Sequence, residues 1–396
     1  MLCFSGFIRK GDLVIMKRFL AVLMVLAILL CGLTVAANAE TGWVDKDGLW
    51  YYYKADGTMV TNDWVKTGGN WFYLDEDGVM AADEVVSWKD SWYALKKNGA
   101  MVTNDWFSRS IVLANKTYTE WYYAGSDGAL ATGWKQIGKK WYYFFDFDFL
   151  EDEPPYMIDG EVIEPDEGKR YAFKPGGEMI VGWGQPRLGS QWYDQDKPYV
   201  KRWVYANADG SLAIGWKKID GKWYYFSQYG WMFQDGDTQT LDGLAWIDGK
   251  WYAFDKSGAM LADKWYEFKW ASEEESGSDW LYMGADGSAK TGWFKAGGRW
   301  YYADEYGWVY HNGFIEMSDG KTYYLDPDTC AMATGWNQIG DDWYYFSGAG
   351  ARAEKEWVMS GGKWYYLKEG GVMAKSETLT IDGKDYTFGA DGAWVK

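Results

Sequence analysis

Short apolar runs of four or five residues alternate along most of this chain with polar, glycine-bearing stretches, at a period of about 20 residues. The pattern is sharpest in Thr132–Phe144 and Thr334–Phe346. In each, one tryptophan follows a glycine and a second, seven residues on, opens a run of aromatics. Side chains alternate along a strand, so Trp141 and Tyr143 share one face while Tyr142 and Phe144 share the other. Both faces are apolar, and neither can be left to water. Gly133–Ile137 reads as the partner strand and Gly138-Lys139 as the turn. A lone hairpin is marginal in water and must stack on a neighbour, which a tandem array supplies. The expected fold is therefore all-β: a β-hairpin repeat solenoid of about 15 units of 20–33 residues, preceded by a signal-peptide helix. No sustained spacing of three to four apolar residues follows the leader, so no further helix is expected.

Seven units keep the seven-residue tryptophan pair: Trp43/Trp50, Trp64/Trp71, Trp134/Trp141, Trp216/Trp223, Trp293/Trp300, Trp336/Trp343 and Trp357/Trp364. Others depart from it. Trp88 and Trp92 are four apart, Trp106/Trp121 and Trp265/Trp280 are 15 apart, and the units around Arg170 and Thr322 lack both tryptophans. Sites beside those units are read as doubtful. Long spacings mark insertions: the acidic, proline-bearing Asp146–Lys169, expected as an exposed loop, then Gly184–Lys201 and Ser272–Asp279. The reading divides the chain into a signal peptide (1–39), hairpin repeats (40–143), divergent repeats with insertions (144–202), and hairpin repeats ending in a cap without its tryptophan (203–396).

Composition sharpens this picture. The 396 residues hold 29 Trp, 32 Tyr and 49 Gly but one His and seven Pro, which suits many short strands and tight turns. The formal charge is −17; residues 1–39 carry four basic groups and one acid, which leaves 36 basic against 56 acidic residues, or −20, beyond them. Such a surface opposes nucleic acid and anionic membranes and favours cations. Met16-Lys17-Arg18, the apolar run Phe19–Val35 and Ala37-Asn38-Ala39 read as a secretory signal cut before Glu40, which predicts export and no stable membrane insertion after cleavage. Cys330 would then stand alone, excluding an internal disulfide or thiolate metal site. The single His311 leaves no material for histidine-based triads, and Asp146-Phe147-Asp148 and Asp235-Gly236-Asp237 lack calcium-loop spacing. The reading is no enzyme, no catalytic residues, no metal and no cofactor.

What remains is the aromatics. Stacked hairpins leave grooves between units, and two indoles with a tyrosine around one hollow make a cage for a quaternary ammonium. The same flat rings stack on sugar faces, and ring chemistry alone does not separate the two. The units Thr132–Phe144 and Thr334–Phe346 resemble the choline-binding, or cell-wall-binding, repeats of Gram-positive surface proteins, with relatives in glucan-binding regions. The resemblance covers nearly all of residues 41–396 and implies ligand sites between consecutive hairpins. Each would use the tryptophan after glycine, the tryptophan opening the aromatic run and a tyrosine of the next unit. It points to Trp43 and Trp50 with Tyr73, Trp64 and Trp71 with Tyr93, Trp216 and Trp223 with Tyr252, Trp293 and Trp300 with Tyr323 or Tyr324, and Trp336 and Trp343 with Tyr365 or Tyr366. The pairs Trp134/Trp141 and Trp357/Trp364 complete the set. The implied partner is a cell-wall polymer, choline-bearing teichoic acid or similar, held by a secreted cell-surface protein; glycan binding, or adhesion to a host ligand through the acidic insertions, is the alternative.

Overall fold

A computed structural model describes residues 40–113, 116–146, 153–186, 202–236, 240–271 and 276–395. The expected signal peptide lies outside the described residues, as do parts of the three insertions and Phe147, Asp148 and Asp237. The chain forms two compact units, one running to Lys135 together with Tyr143–Met157, the other comprising Gln136–Tyr142 and Ile158–Lys396.

Each unit is an array of hairpins. Among the described residues the strands form fifteen small antiparallel sheets, nearly all two-stranded, and the one helical turn is the 3-10 segment Glu369–Gly371. No helix among them is long and apolar enough to cross a membrane. The first hairpin sets the pattern. Gly42–Lys46 pairs with Leu49–Tyr53 so that Trp43 faces Tyr52 and Asp45 faces Trp50. The two-residue connections have positive φ, at both positions of Gly68-Gly69 for example (56° and 81°), and that twist matches the flanking strands.

Strand alternation then assigns four roles to the aromatic run. The residue opening it and the one two later share a face with the first tryptophan. The residue three later is the core: Leu74, Leu95, Phe226, Phe346 and Leu367 are all fully buried. A turn of the form Asp/Asn/Ser-x-x-Gly folds back and bridges that core residue, as in Leu74↔Met80 and Phe226↔Met232. The same methionine ties its hairpin to the one before. Met80 N donates to Trp50 O, Met260 N to Trp223 O and Met373 N to Trp343 O, each at 2.8 Å. Neighbours are thus joined by one backbone bond and one aromatic seam, not by a continuous sheet. Truncating a core ring such as Phe226→Ala should cost about 3–5 kcal/mol, seen as an early urea transition in far-UV circular dichroism.

The insertions differ from expectation. Pro154, Pro155, Met157 and Ile158 are buried, so the described part of Asp146–Lys169 is not the exposed loop expected of it. Tyr156–Met157 adds a strand beside Phe144 and Phe145, because its apolar Tyr-Met-Ile segment has core to join. Around Arg109 the same unit holds a small ionic group: Nε donates to Glu120 at 2.8 Å, and the Tyr122 hydroxyl donates to the same carboxylate. Burial beside that carboxylate pushes the Tyr122 phenol well above its ordinary range. Thr378–Ile381, Lys384–Phe388 and Trp394–Val395 form a three-stranded sheet in which Trp394–Val395 pairs with Thr387 and Phe388. Cys330 is free and buried, and burial raises its thiol pKa.

Candidate functional site: aromatic cages at the hairpin seams

The cages follow from the register. The first tryptophan of each pair is half-buried: Trp43, Trp64, Trp134, Trp216, Trp293, Trp336 and Trp357. It packs on the tyrosine opposite it in its own hairpin, as in Trp43–Tyr52 (5.1 Å), Trp134–Tyr143 (5.2 Å) and Trp336–Tyr345 (5.2 Å). The second is exposed by 37–44% in Trp50, Trp71, Trp141, Trp223, Trp300, Trp343 and Trp364. Indoles on the same face, two positions apart across the ladder, meet edge to face; Trp43 and Trp50 lie 6.5 Å apart at 78°.

The next hairpin closes the hollow with the ring that immediately follows its own second-tryptophan position. Trp64 meets Tyr93 at 5.0 Å, Trp216 meets Tyr252 at 4.7 Å, Trp293 meets Tyr323 at 4.9 Å and Trp336 meets Tyr365 at 5.0 Å. At Trp43 the ring is Phe72, 5.1 Å away, and not the expected Tyr73. Tyr73 is one position further, hence on the opposite face; it packs on Trp64 of its own hairpin (5.2 Å), and its hydroxyl donates to Asn62 Oδ1 at 2.6 Å. The same alternation selects Tyr323 over Tyr324 and Tyr365 over Tyr366. Desolvation raises the Tyr252 phenol pKa, so that wall stays neutral at physiological pH.

The fourth wall is the methionine of the linking bond. Trp43, Trp50, Phe72 and Met80 line a hollow of ≈ 660 Å³ with Glu84 and Lys97 at its edge. Trp336, Trp343, Tyr365 and Met373 line one of ≈ 670 Å³ with Lys363, Lys375 and Asp391. A thioether is polarisable and adapts its shape. Its sequence signal was present in the Gly-x-Met that follows several turns, such as Gly78-Val79-Met80, but nothing in the chain order says that this residue reaches back to the previous hairpin. In the last cage Trp357 meets Tyr386 (4.9 Å) and Trp394 (6.2 Å), so the terminal unit supplies a tryptophan from its final strand.

More cages assemble than the seven-residue spacing reveals. Trp106 and Trp121, and Trp265 and Trp280, both sit 6.4 Å apart at 81°, like Trp43 and Trp50. The extra residues lengthen both arms of each hairpin equally, so the register survives. Trp183 and Trp203 form another pair at 6.2 Å and 89°. Trp88 belongs to the preceding cage, 6.2 Å from Trp64. At the Trp251 seam Leu244 stands where the first tryptophan would be. There Trp246 lies directly opposite Trp251 (5.2 Å), while Tyr306 and Trp308 approach from a turn two hairpins on (6.4 Å to Trp246 and 6.5 Å to Trp251).

Comparison with known proteins finds similarity in several of these repeats. The choline-binding repeat family matches residues 40–77, 61–106 and 333–377, and the cell wall binding repeat family matches 132–148, 214–228 and 291–305. Among curated proteins the chain is similar to glucosyltransferase-S of Streptococcus mutans, 25% identical over 260 residues, and to glucosyltransferase-I of Streptococcus downei, 26% identical over 331. Those alignments cover 60% and 79% of this chain but 16% and 19% of the relatives, so the chain spans under a fifth of their length. Among solved structures, choline binding protein F of Streptococcus pneumoniae is 24% identical, with 90% of this chain and 98% of that one covered at a TM-score of 0.25.

Proposed function

We propose, from the premise that its repeats are of the choline-binding and cell-wall-binding type, that this protein is a secreted, non-catalytic binder of bacterial envelope polymers. Its cages receive quaternary ammonium groups such as those of choline-bearing teichoic acid. The observation that carries the reading is the four-walled hollow of Trp336, Trp343, Tyr365 and Met373, repeated at Trp43, Trp50, Phe72 and Met80. The inner indole is fixed between two rings, and the outer indole stands open to solvent. A cation over one ring face contributes about 0.5–2 kcal/mol, so a three-ring cage gives affinities on the order of millimolar. Tethering many cages to one polymer raises the avidity by roughly 10²–10⁴. The acidic surface selects against nucleic acid.

A second reading, sugar stacking on a glucan, draws support from the Trp246–Tyr306 pair, whose rings are 48% and 53% exposed and face open solvent. The two readings part in one titration. Choline should quench tryptophan fluorescence with a millimolar midpoint and release the protein from a choline matrix at about 100–200 mM, on the scale of a millimolar site. Isomalto-oligosaccharides should do neither. Retention on the matrix through that wash, with release by the oligosaccharide, would replace the ammonium reading by the glycan one.

A further inference from the structure

The seam after the Phe314 hairpin departs from the paired-tryptophan seams in three positions at once. Phe314 replaces the inner tryptophan, Thr322 the outer one, and Arg352 the methionine. Its geometry is otherwise that of a working cage. Phe314 packs on Tyr324 of its own hairpin (5.0 Å) and on Tyr344 of the next (5.1 Å). Arg352 N donates to Thr322 O at 2.8 Å, as Met373 N does to Trp343 O. Gly371 packs against the Arg352 stem as Gly392 packs against Met373. The guanidinium carbon lies over the Phe314 ring, 5.6 Å from its centre. Nη2 pairs with Glu354 at 2.8 Å, and the side chain is 16% exposed. Nε is shut from solvent with no hydrogen-bond partner among the described residues. A buried donor without an acceptor is costly, and here the aromatic face beneath the guanidinium is what that charge meets.

We infer that Arg352 takes, at the Phe314 seam, the place a ligand cation takes in the other cages, so that this seam is closed by the protein's own guanidinium and binds no polymer. The inference rests on the ammonium-cage reading above. Lysines over other rings are placed differently. Lys66 and Lys218 reach Trp71 and Trp223 from directly across their own hairpins, and Lys217 crosses from the next hairpin's strand to Tyr205 (5.5 Å) with its Nζ bonded to Asn207 Oδ1 at 2.7 Å, whereas Arg352 enters from the next hairpin's turn. At a second degenerate seam a guanidinium is again paired and stacked, here over a tyrosine from a turn two hairpins on. Arg170, standing where an outer tryptophan would be, lies 4.8 Å over Tyr229, pairs with Glu164 at 2.9 Å and donates to Gln228 O at 2.7 Å. Loss of the tryptophans and gain of a guanidinium–carboxylate pair thus coincide at both seams.

The test counts choline sites by isothermal titration in four full-length chains: wild type, Thr322→Trp, Arg352→Met, and the double variant. Thr322→Trp alone should add no site, because the cation is still in place. Arg352→Met alone should add none of wild-type strength, because the outer wall is missing. The double variant should add one site, of affinity within about threefold of the others. Circular dichroism checks that each variant is folded. A gained site in Thr322→Trp alone, or none in a folded double variant whose other cages still bind, overturns this inference only. A wild type that binds no choline at any cage overturns the cage reading and this inference with it.

Discussion

Trp343→Ala should lose one choline site while keeping the fold, and Trp336→Ala should lose the same site while unfolding its neighbourhood. The two indoles belong to one cage but differ in how they are held. Trp343 is 37% exposed and its backbone, not its ring, carries the link to Met373. Removing its ring should cost about 1–2 kcal/mol, less than a fully buried side chain of its size. Trp336 is wedged between Tyr345 and Tyr365 and packs on the cluster of Ala353, Val358, Leu367 and Met373. Its truncation should cost about 3–5 kcal/mol, the range for a large aromatic in a core. Because the Trp336 ring packs on its own hairpin and the next one, that loss should appear as a separate early transition and not as a shift of the whole curve. Titration calorimetry for stoichiometry and urea unfolding for stability separate the two. An unchanged stoichiometry in Trp343→Ala would show that the outer indole is not a cage wall.

The hairpins were legible because glycine turns, aromatic runs and a period near 20 residues all point to one local structure. The inner and outer tryptophans were legible for the same reason: register fixes them within a single hairpin. What the linear pattern hides lies between hairpins. Phe72, not the expected Tyr73, faces the Trp43 cage: two adjacent aromatics are equivalent in composition and opposite in direction, and only the alternation from Trp71 decides between them. The pairs Trp106/Trp121 and Trp265/Trp280 are masked by their 15-residue spacing along the chain, whereas symmetric lengthening of two arms leaves the rungs unchanged. Arg352 and Trp394 carried no signal as cage components at all. Each is an ordinary residue near a turn until the preceding hairpin is stacked against it.

Gly99→Ala should damage a cage two hairpins away from the substituted turn. Gly99 closes the Asn98-Gly99 turn at φ 78°, where an added Cβ is strained in any case. That Cβ would also stand 2.5 Å from both Cε and Sδ of Met80, far inside contact distance. Met80 cannot retreat as a whole, because its N–H is bonded to Trp50 O and its strand position is bridged to Leu74. The thioether end can move, and it already lines the hollow shared by Trp43, Trp50 and Phe72. The displaced methyl therefore enters the space that the ligand would occupy. The expected outcome is a loss of roughly 2–4 kcal/mol, combining backbone strain of about 1 kcal/mol with overpacking of about 1–3 kcal/mol, together with one choline site fewer. Gly69→Ala is the control. Its φ is 81°, but its Cβ meets nothing within 4 Å, so it should cost about 1 kcal/mol and leave every site intact. Equal stability losses in the two variants, with stoichiometry unchanged in both, would mean that the glycine–methionine contact does not hold the cage wall in place. The same contact recurs at Gly258 on Met232 and Gly350 on Met332, so a positive result at Gly99 predicts that each turn glycine guards the cage of an earlier hairpin.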